Sequence, residues 1–371
     1  MVLKNTRIEY IDIAKGFAIL FVILGHILQD CTLDYYIYSF HMPLFFLLSG
    51  ITFRVHENES FFSFFIRKFR ILMIPYYSFG IFAIVIFLVM GNYAESALNK
   101  QFDLSFLTMT RNLLYGSSQN GALKFYEPLW FLPCLFSIQL VSFFVWGLLQ
   151  RFFNGNLLCR SCVICLFIIM FMILNAFQPS VVSSSCVTKI PILFSTPLPM
   201  GLNMAFREFP FFLIGLLFQK KFLTNSNIRV VNLIVCVFAI TLGMLTFLIE
   251  QRLRLPLCLC CYYLWVLFFY FTGLLSSLGY IFLCRVICHS ELFSRIGRET
   301  IPILVLHKYP IIFVSVAWSF GSRMISENKL WFCVLLSFAV AGISMLVGFV
   351  LKRFVPFLFG MSYEYTRNGV K

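Results

Sequence analysis

The sequence has few charged residues: Asp, Glu, Lys and Arg make up 12% of its 371 residues, whereas 60% are hydrophobic. A soluble domain usually carries about a quarter charged residues. Stretches such as 79–90 and 164–174 are apolar on every face of a helix, so a soluble core does not account for them. The shortage of charge therefore excludes an ordinary soluble protein and favours a chain embedded in lipid.

The sequence also lacks the alternating segments of about ten residues that build a membrane β-barrel. Instead it contains apolar runs close to the roughly 20 residues that a membrane-spanning helix needs. These runs predict an all-α fold, a polytopic bundle of about ten transmembrane helices. Their approximate bounds are 10–28, 38–53, 69–90, 129–149, 162–177, 204–219, 230–249, 257–283, 301–320 and 330–351.

No internal repeat or appended soluble region interrupts this pattern, so we expect one membrane domain over residues 1–371, with a cytoplasmic tail at about 352–371.

Most of the 13 cysteines lie within or at the ends of apolar runs. This placement predicts no disulfide framework. The series Cys159, Cys162, Cys165 has no fourth ligand nearby, so no metal site is expected there. The formal net charge of +14 is scattered between apolar runs, so no nucleic-acid partner is expected.

The basic residues predict an orientation for this bundle. Ten spans place both termini on the same side of the membrane, and 19 of the 29 Lys and Arg residues then fall on that side. Basic residues are enriched in cytoplasmic loops. The first run has no small-residue cleavage site after it, which favours a retained helix. We therefore expect a multi-pass protein of the cytoplasmic (inner) membrane with both termini in the cytoplasm.

The first apolar run contains ionisable residues, which are rare in a membrane and point to function. Asp12, Lys15 and His26 share one helical face, because the step from Lys15 to His26 ends about 20° past three full turns and rises about 16 Å. A neutral histidine can accept a proton from a hydroxyl group. His26 is therefore the candidate general base and Asp12 belongs to the same candidate catalytic set. Packing of His26 against a neighbouring helix is the alternative.

A second basic group, Arg67, Lys68 and Arg70, lies at the start of the third membrane helix. Arg67 and Arg70 are three residues apart and therefore neighbours on a helix. Guanidinium groups suit phosphates, so this pair, together with Lys15, is the candidate site for the phosphates of a nucleotide-bearing donor. An ordinary positive-inside anchor near lipid headgroups is the alternative, and for Lys68 it is the preferred interpretation.

Three further polar residues lie in apolar runs. His41, in a segment that is expected to begin a helix at Ser39, and His307, expected in mid-helix, either orient substrate or pack against a polar neighbour. Ser49 and Gly50 form a small pair that lets two helices approach closely. No Gly-x-Ser-x-Gly sequence supports Ser49 as a nucleophile.

These motifs resemble those of the acyltransferase 3 superfamily of membrane O-acyltransferases, and more closely its fucose 4-O-acetylase-like branch. The resemblance covers about residues 7–310. Lys15 and His26 resemble the family's Arg/Lys-x10-His motif, and residues 39–50 its second-helix signature. The remaining similar segments are Arg67-x2-Arg70 with Ile74-Pro75-Tyr76, Trp130 within 129–132, and Ile296-Gly297 with His307 and Pro310.

The resemblance implies transfer of an acyl group, usually acetyl from acetyl-CoA, to a hydroxyl group of an extracytoplasmic or lipid-linked sugar or polysaccharide. It implies that His26 is catalytic and that Lys15, Arg67 and Arg70 contact the donor. Acyl-CoA, a sugar or glycan acceptor and membrane lipid are then the expected partners, and no metal is expected.

This chain departs from the family pattern at one position. Many relatives carry a glutamate five residues after the fourth-helix tryptophan, which resembles Trp130, and this chain has Leu135 there. Glu127 is the candidate replacement. The competing interpretation of the whole chain is a secondary transporter or flippase for an anionic or glycan substrate, with Asp12, Lys15 and the arginines along a permeation path. The absence of an inverted repeat counts against it.

Overall fold

The computed structural model describes residues 8–28, 31–98, 105–116, 128–152, 157–176, 198–223, 229–253, 259–319 and 330–361. Within these ranges all regular structure is helical, which confirms the predicted all-α class. The α-helices are α1 (Glu9–Ile27), α2 (Thr32–Ile51), α3 (Phe61–Lys68), α4 (Ile74–Leu98), α5 (Phe106–Tyr115), α6 (Phe131–Phe152), α7 (Leu157–Ala176), α8 (Leu202–Leu217), α9 (Gln219–Leu223), α10 (Arg229–Leu253), α11 (Leu259–Ile287), α12 (Glu291–Arg298), α13 (Thr300–Leu306), α14 (Lys308–Ser319) and α15 (Leu330–Phe354).

Eight helices in the described part of the chain are long and apolar enough to cross a membrane. They match eight of the predicted runs, so the chain is a polytopic helical membrane protein. The other two runs fall on α2 and on α13 with α14. Polar residues such as Asp34 and His41 lower the mean hydropathy of α2, and the run at 301–320 is divided at His307.

The chain packs as two compact units. Unit 1 consists of Met1–Phe53, Ile164–Leu193 and Glu208–Thr300; unit 2 consists of Arg54–Val163, Phe194–Arg207 and Ile301–Lys371. Unit 1 thus contains α1, α2 and α9 to α12, and unit 2 contains α3 to α6 and α13 to α15. The expectation of one membrane domain over the whole chain stays a prediction.

Glycines bring the helices of unit 1 into backbone contact. A Cβ atom on Gly297 of α12 would overlap the carbonyl group of Asp12 in α1, and one on Gly16 would overlap that of Phe293. The rings of Phe17 and Phe293 stack beside this contact, with centroids 4.1 Å apart. The short helix α12 is therefore fixed against the first half of α1.

The predicted small pair at the end of α2 has a similar role. A Cβ atom on Gly50 would overlap the carbonyl oxygen of Phe212 in α8, and one on Gly215 would come within 2.9 Å of the backbone nitrogen of Ile51. The close helix approach expected from Ser49-Gly50 is confirmed at Gly50. Small residues serve this purpose in membrane bundles because lipid supplies no hydrophobic force between helices.

A buried arginine ties three elements of unit 1 together. Arg285 in α11 is 8% exposed, and its guanidinium carbon lies 5.0 Å from the ring centroid of Tyr10 and 5.5 Å from that of Phe222. Its Nη2 donates to the carbonyl oxygen of Phe222 at 3.1 Å, and the Tyr10 hydroxyl donates to the same oxygen. The aromatic faces of Tyr10 and Phe222 and the carbonyl oxygen of Phe222 thus stabilise the buried positive charge in place of water.

In unit 2 the third membrane helix begins earlier than its hydropathy indicates. The Ser60 hydroxyl caps α3 by accepting from the backbone N–H of Ser63 at 3.2 Å, so the helix starts at Phe61 and not at residue 69. A π-helical segment, Phe69–Met73, joins α3 to α4. Pro75 lies just beyond it and supplies no N–H to the preceding turn, which explains why the α-helical register is interrupted here.

We expect Gly297→Ala to destabilise the protein, because the added methyl group must displace the Asp12 carbonyl or separate α12 from α1. Overpacking of this kind typically costs about 1–3 kcal/mol. Thermal unfolding in detergent measures the effect. Gly147→Ala is the matched control, because no atom lies within 4 Å of the added carbon there. Equal unfolding temperatures for the two variants would contradict the close contact.

Candidate functional site

His26 lies in the last turn of α1, where a tyrosine of α2 reaches it. The Tyr38 hydroxyl lies 3.1 Å from His26 Nδ1, and the two ring centroids are 6.2 Å apart at an angle of 78°. A Cβ atom on Gly25 would lie 3.3 Å from the Tyr38 ring, so the missing side chain at Gly25 leaves room for this approach. His26 is half-buried and Tyr38 is 44% exposed.

The hydrogen bond at Nδ1 determines what His26 can do. In a neutral imidazole one nitrogen carries the proton and the other accepts. If Nδ1–H donates to the Tyr38 oxygen, Nε2 holds the lone pair that a general base requires. Tyr38 then acts on this ring as a carboxylate or carbonyl does on many catalytic histidines, by fixing the tautomer through the second nitrogen.

His41 packs beside this pair. Its Nδ1 lies 2.7 Å from the carbonyl oxygen of Ile37, and the Tyr38 ring meets it edge-on at 5.0 Å. The sequence predicted that a helix begins at Ser39, but α2 begins at Thr32, because Cys31 accepts a hydrogen bond from the backbone of Asp34 as its cap. His41 therefore lies in mid-helix at 4% exposure, held to its own backbone.

The other end of α1 carries Asp12 and Lys15. Asp12 is 5% exposed and Lys15 is half-buried. The backbone carbonyl of Asp12 packs directly against Gly297. Just before them, Glu9 Oε1 lies 2.6 Å from His289 Nδ1, which raises the pKa of this exposed histidine through the hydrogen bond and the opposite charge. Helix α12 and the segment before it thus pack along the face of α1 that carries the candidate residues.

Arg67 in unit 2 is paired with a carboxylate. Its Nε donates to Glu59 Oε1 at 2.8 Å and its Nη2 donates to Glu59 Oε2 at 2.7 Å, a two-pronged ion pair. The hydrogen bond from Arg67 lowers the pKa of Glu59. Within the described residues Nη1 makes no hydrogen bond. Arg67 is therefore a fixed guanidinium with one edge left for another ligand.

Arg70 differs from Arg67 in both position and partners. It lies in the π-helical segment, and its exposed side chain makes no ion pair or hydrogen bond with the described residues. The two arginines that the sequence treats as an equal pair are thus one anchored and one available charge. Both belong to unit 2, and the nearby Lys68 lies over the ring of Phe64, with Nζ 5.4 Å from its centroid.

The remaining candidates have varied surroundings. His307 is fully buried at the junction of α13 and α14, with Nδ1 2.9 Å from the Leu304 carbonyl oxygen. The helix breaks there, contrary to the mid-helix expectation, because Pro310 cannot donate to the Leu306 carbonyl. Trp130 is half-buried immediately before α6, and Ser49 is half-buried in α2. Glu127 lies outside the described residues.

Sequence reasoning missed several polar residues. Tyr38 and Glu59 were not singled out, although Tyr38 stands one turn before His41 and Glu59 stands eight residues before Arg67. Glu208 in α8 and Glu250 in α10 are 0% and 5% exposed. A survey of every ionisable residue inside an apolar run finds Glu208, since intramembrane carboxylates indicate function by default.

One further buried group lies in α6. Gln139 is 7% exposed, and its Oε1 has no hydrogen-bond partner in the described structure. Among the described residues no group of three or more His, Cys, Asp or Glu side chains is arranged to hold a metal ion. Cys159, Cys162 and Cys165 lie along the single helix α7, two of them exposed.

A comparison with family profiles identifies the class of protein. The profile of the acyltransferase domain family (Acyl_transf_3) matches residues 8–353. The chain therefore belongs to the acyltransferase 3 family of membrane-bound proteins, whose membership indicates an acyltransferase enzyme. No curated protein and no solved structure gives a significant match to the chain.

The Glu59–Arg67 pair predicts a pH dependence of stability. Because the folded state lowers the pKa of Glu59, the pair stabilises the protein above the unfolded value of about 4.3, and this contribution is lost as the pH falls through the lower folded value. We expect the wild type to lose thermal stability more steeply between pH 6 and pH 3 than Glu59→Gln. Parallel curves would contradict the pair, and Glu57→Gln, at an exposed position, is the control.

Proposed function

We propose that this protein is an acyl-CoA-dependent O-acyltransferase that moves an acyl group, with acetyl as the expected one, to a hydroxyl group of a sugar. The observation that carries the proposal is the hydrogen bond between His26 Nδ1 and the Tyr38 hydroxyl, within a chain of the acyltransferase 3 family. With Nδ1–H as the donor in this bond, Nε2 is the atom that accepts the proton.

In the proposed reaction, the acceptor hydroxyl oxygen attacks the thioester carbonyl carbon while its proton moves to His26 Nε2. The new C–O bond forms, the C–S bond breaks, and the imidazolium returns the proton to the departing CoA thiolate. The products are the O-acyl sugar and CoA. Tyr38 accepts from Nδ1–H throughout and stabilises the imidazolium, and the resulting acceleration from general-base catalysis is about 10²–10⁴-fold.

Donor binding is assigned to basic residues. Arg70 is the strongest candidate for a phosphate contact because its guanidinium is exposed and uncompensated by the described residues. Arg67 offers only the edge that Glu59 leaves open, and Lys15 is proposed as a further donor contact. A charge-assisted hydrogen bond to a phosphate contributes about 1.5–3 kcal/mol. Asp12 is proposed to belong to the catalytic set on α1, together with His26.

The acceptor and the membrane follow from the resemblance to the fucose 4-O-acetylase-like branch. We propose an extracytoplasmic or lipid-linked sugar or polysaccharide as acceptor, and the cytoplasmic membrane as location, with both termini in the cytoplasm. His41, Ser49, Trp130, Glu127 and His307 are proposed to contact substrate or to support residues that do. Comparison of surface glycans by mass spectrometry, with and without the gene, identifies the sugar and its hydroxyl group.

A transporter or flippase is the competing function. Purified protein in lipid vesicles distinguishes the two when it is supplied with acetyl-CoA labelled in the acetyl group. Release of the CoA thiol together with labelled ester supports the transferase. Movement of substrate across the vesicle membrane without thioester cleavage would overturn it.

Substitutions at His26 and Tyr38 test the assigned roles. His26→Gln keeps a polar side chain of similar reach but accepts no proton, so we expect kcat to fall about 10²–10⁴-fold with an unchanged KM for acetyl-CoA. Tyr38→Phe removes one hydrogen bond, and we expect kcat to fall roughly 2- to 12-fold. Steady-state kinetics of the purified variants measure both.

The control is Tyr263→Phe, which removes a hydroxyl from a tyrosine of unit 1 with 43% exposure, close to the 44% of Tyr38. We expect wild-type kinetics from it. A His26→Gln enzyme with most of the wild-type rate would make His26 a packing residue. A Tyr38→Phe enzyme indistinguishable from Tyr263→Phe would remove Tyr38 from the mechanism.

A further inference from the structure

The backbone around Arg70 has an opened hydrogen-bond pattern. The N–H of Ile74 donates to the carbonyl of Phe69, five residues back, as the π-helical segment requires. In an ordinary α-helix that N–H would donate to Arg70. The next donor in the π register would be Pro75, which has no N–H. The carbonyl of Arg70 therefore has neither its α-helical nor its π-helical donor.

A turn near the end of the described chain covers this carbonyl. After α15 the segment Pro356–Phe359 forms a 3₁₀ turn that ends at Gly360, with φ +68°. A Cβ atom on Gly360 would overlap the Arg70 carbonyl oxygen and lie 2.8 Å from its carbon. Because glycine has a hydrogen in that direction, one Cα–H of Gly360 points at the open carbonyl, a geometry of weak C–H···O hydrogen bonds.

The turn is anchored by its own side chains. Phe359 is 5% exposed, and its ring centroid lies 5.1 Å from that of Phe79 in α4. Lys352 Nζ lies 5.7 Å from the Phe359 ring. Phe79 stands on the helix that continues from the π-helical segment. The anchor therefore holds Gly360 to the same continuous helix that carries Arg70.

Only glycine satisfies both demands at position 360. The left-handed backbone conformation disfavours other residues, and any side chain collides with the Arg70 carbonyl. The backbone dihedral ψ of Arg70 relates the direction of its carbonyl to that of its Cα–Cβ bond. A displacement of the Arg70 peptide unit consequently moves the backbone from which the Arg70 side chain projects.

From these contacts we propose that the turn Pro356–Gly360 is a positioning element for Arg70, which holds the opened π-helical backbone so that the guanidinium meets the phosphate groups of the acyl-CoA donor. This inference rests on the proposed donor role of Arg70. It assigns Gly360 a function in donor affinity, although Gly360 itself touches backbone and no substrate.

The test measures kcat and KM for acetyl-CoA in purified protein. Arg70→Ala is expected to raise KM about tenfold or more through the lost phosphate contact. Gly360→Ala is expected to raise KM at least about threefold with kcat unchanged, because only the donor contact is misaligned. In the double variant, Gly360→Ala is expected to add nothing to Arg70→Ala, since the two substitutions act through one interaction.

Two glycine variants control for structural effects. Gly342→Ala lies on α15 with no atom within 4 Å of the added carbon. Gly201→Ala shares the strain of Gly360→Ala, with φ +68° and a tight contact 3.0 Å from Cys134. Both are expected to keep the wild-type KM. If Gly360→Ala fails to fold, Phe359→Leu loosens the anchor without backbone strain and is expected to raise KM in the same way.

The outcomes separate the two proposals. If Arg70→Ala leaves KM unchanged, the donor role of Arg70 fails, and the positioning role fails with it. If Arg70→Ala raises KM while Gly360→Ala and Phe359→Leu do not, the positioning role alone is overturned. It is also overturned if Gly201→Ala raises KM as much as Gly360→Ala, or if the effects of Gly360→Ala and Arg70→Ala multiply in the double variant.

Discussion

Lipid offers no hydrogen bonds, so each polar group within these apolar helices must find its partner in the protein. Unit 1 meets this constraint with bonds between helices. The Tyr36 hydroxyl donates to Ser276 Oγ at 3.0 Å, and Thr272 Oγ1 donates to Thr246 Oγ1 at 3.1 Å. These bonds join α2 to α11 and α11 to α10. The buried guanidinium of Arg285 likewise finds its partners within the protein, in aromatic rings and a backbone carbonyl.

The same constraint separates structural charges from those available for chemistry. Arg67 is held by Glu59, whereas Arg70 is exposed on a π-helical turn. His307 is fully buried against its own helix, whereas His26 is half-buried and bonded through Nδ1 to a tyrosine. A π-helical turn interrupts the regular α-helix, and a half-buried histidine places an ionisable group among apolar helices. Irregularities of this kind concentrate at functional sites.

Much of this fold could be predicted because hydropathy alone locates long apolar helices. The bounds of α1 and α15 lie close to their runs, because each helix is one long apolar segment, mostly buried in α1 and only partly buried in α15. The start of α3 at Phe61 was missed because it depends on a capping hydroxyl at Ser60. The break at His307 depends on Pro310, which was quoted as a motif residue but not used as a helix breaker. Local hydrogen bonding decides both features, and hydropathy does not record it.

The candidate site was only partly predictable for a related reason. Helical periodicity places Asp12, Lys15 and His26 on one face, because these residues share a single regular helix. Partners from other segments leave no such periodic signal. Tyr38 reaches His26 from α2, and Glu59 reaches Arg67 from the loop before α3. Gly360 lies hundreds of residues from Arg70, and only the folded chain brings them together.

We propose that His26 is a general base and that Tyr38 fixes its tautomer. Nuclear magnetic resonance of protein labelled with ¹⁵N-histidine reports which ring nitrogen carries the proton, and the His26 signals are those that His26→Gln removes. We expect the neutral ring to carry its proton on Nδ1 and the lone pair on Nε2. A proton on Nε2, with Nδ1 accepting from the Tyr38 hydroxyl, would contradict this proposal.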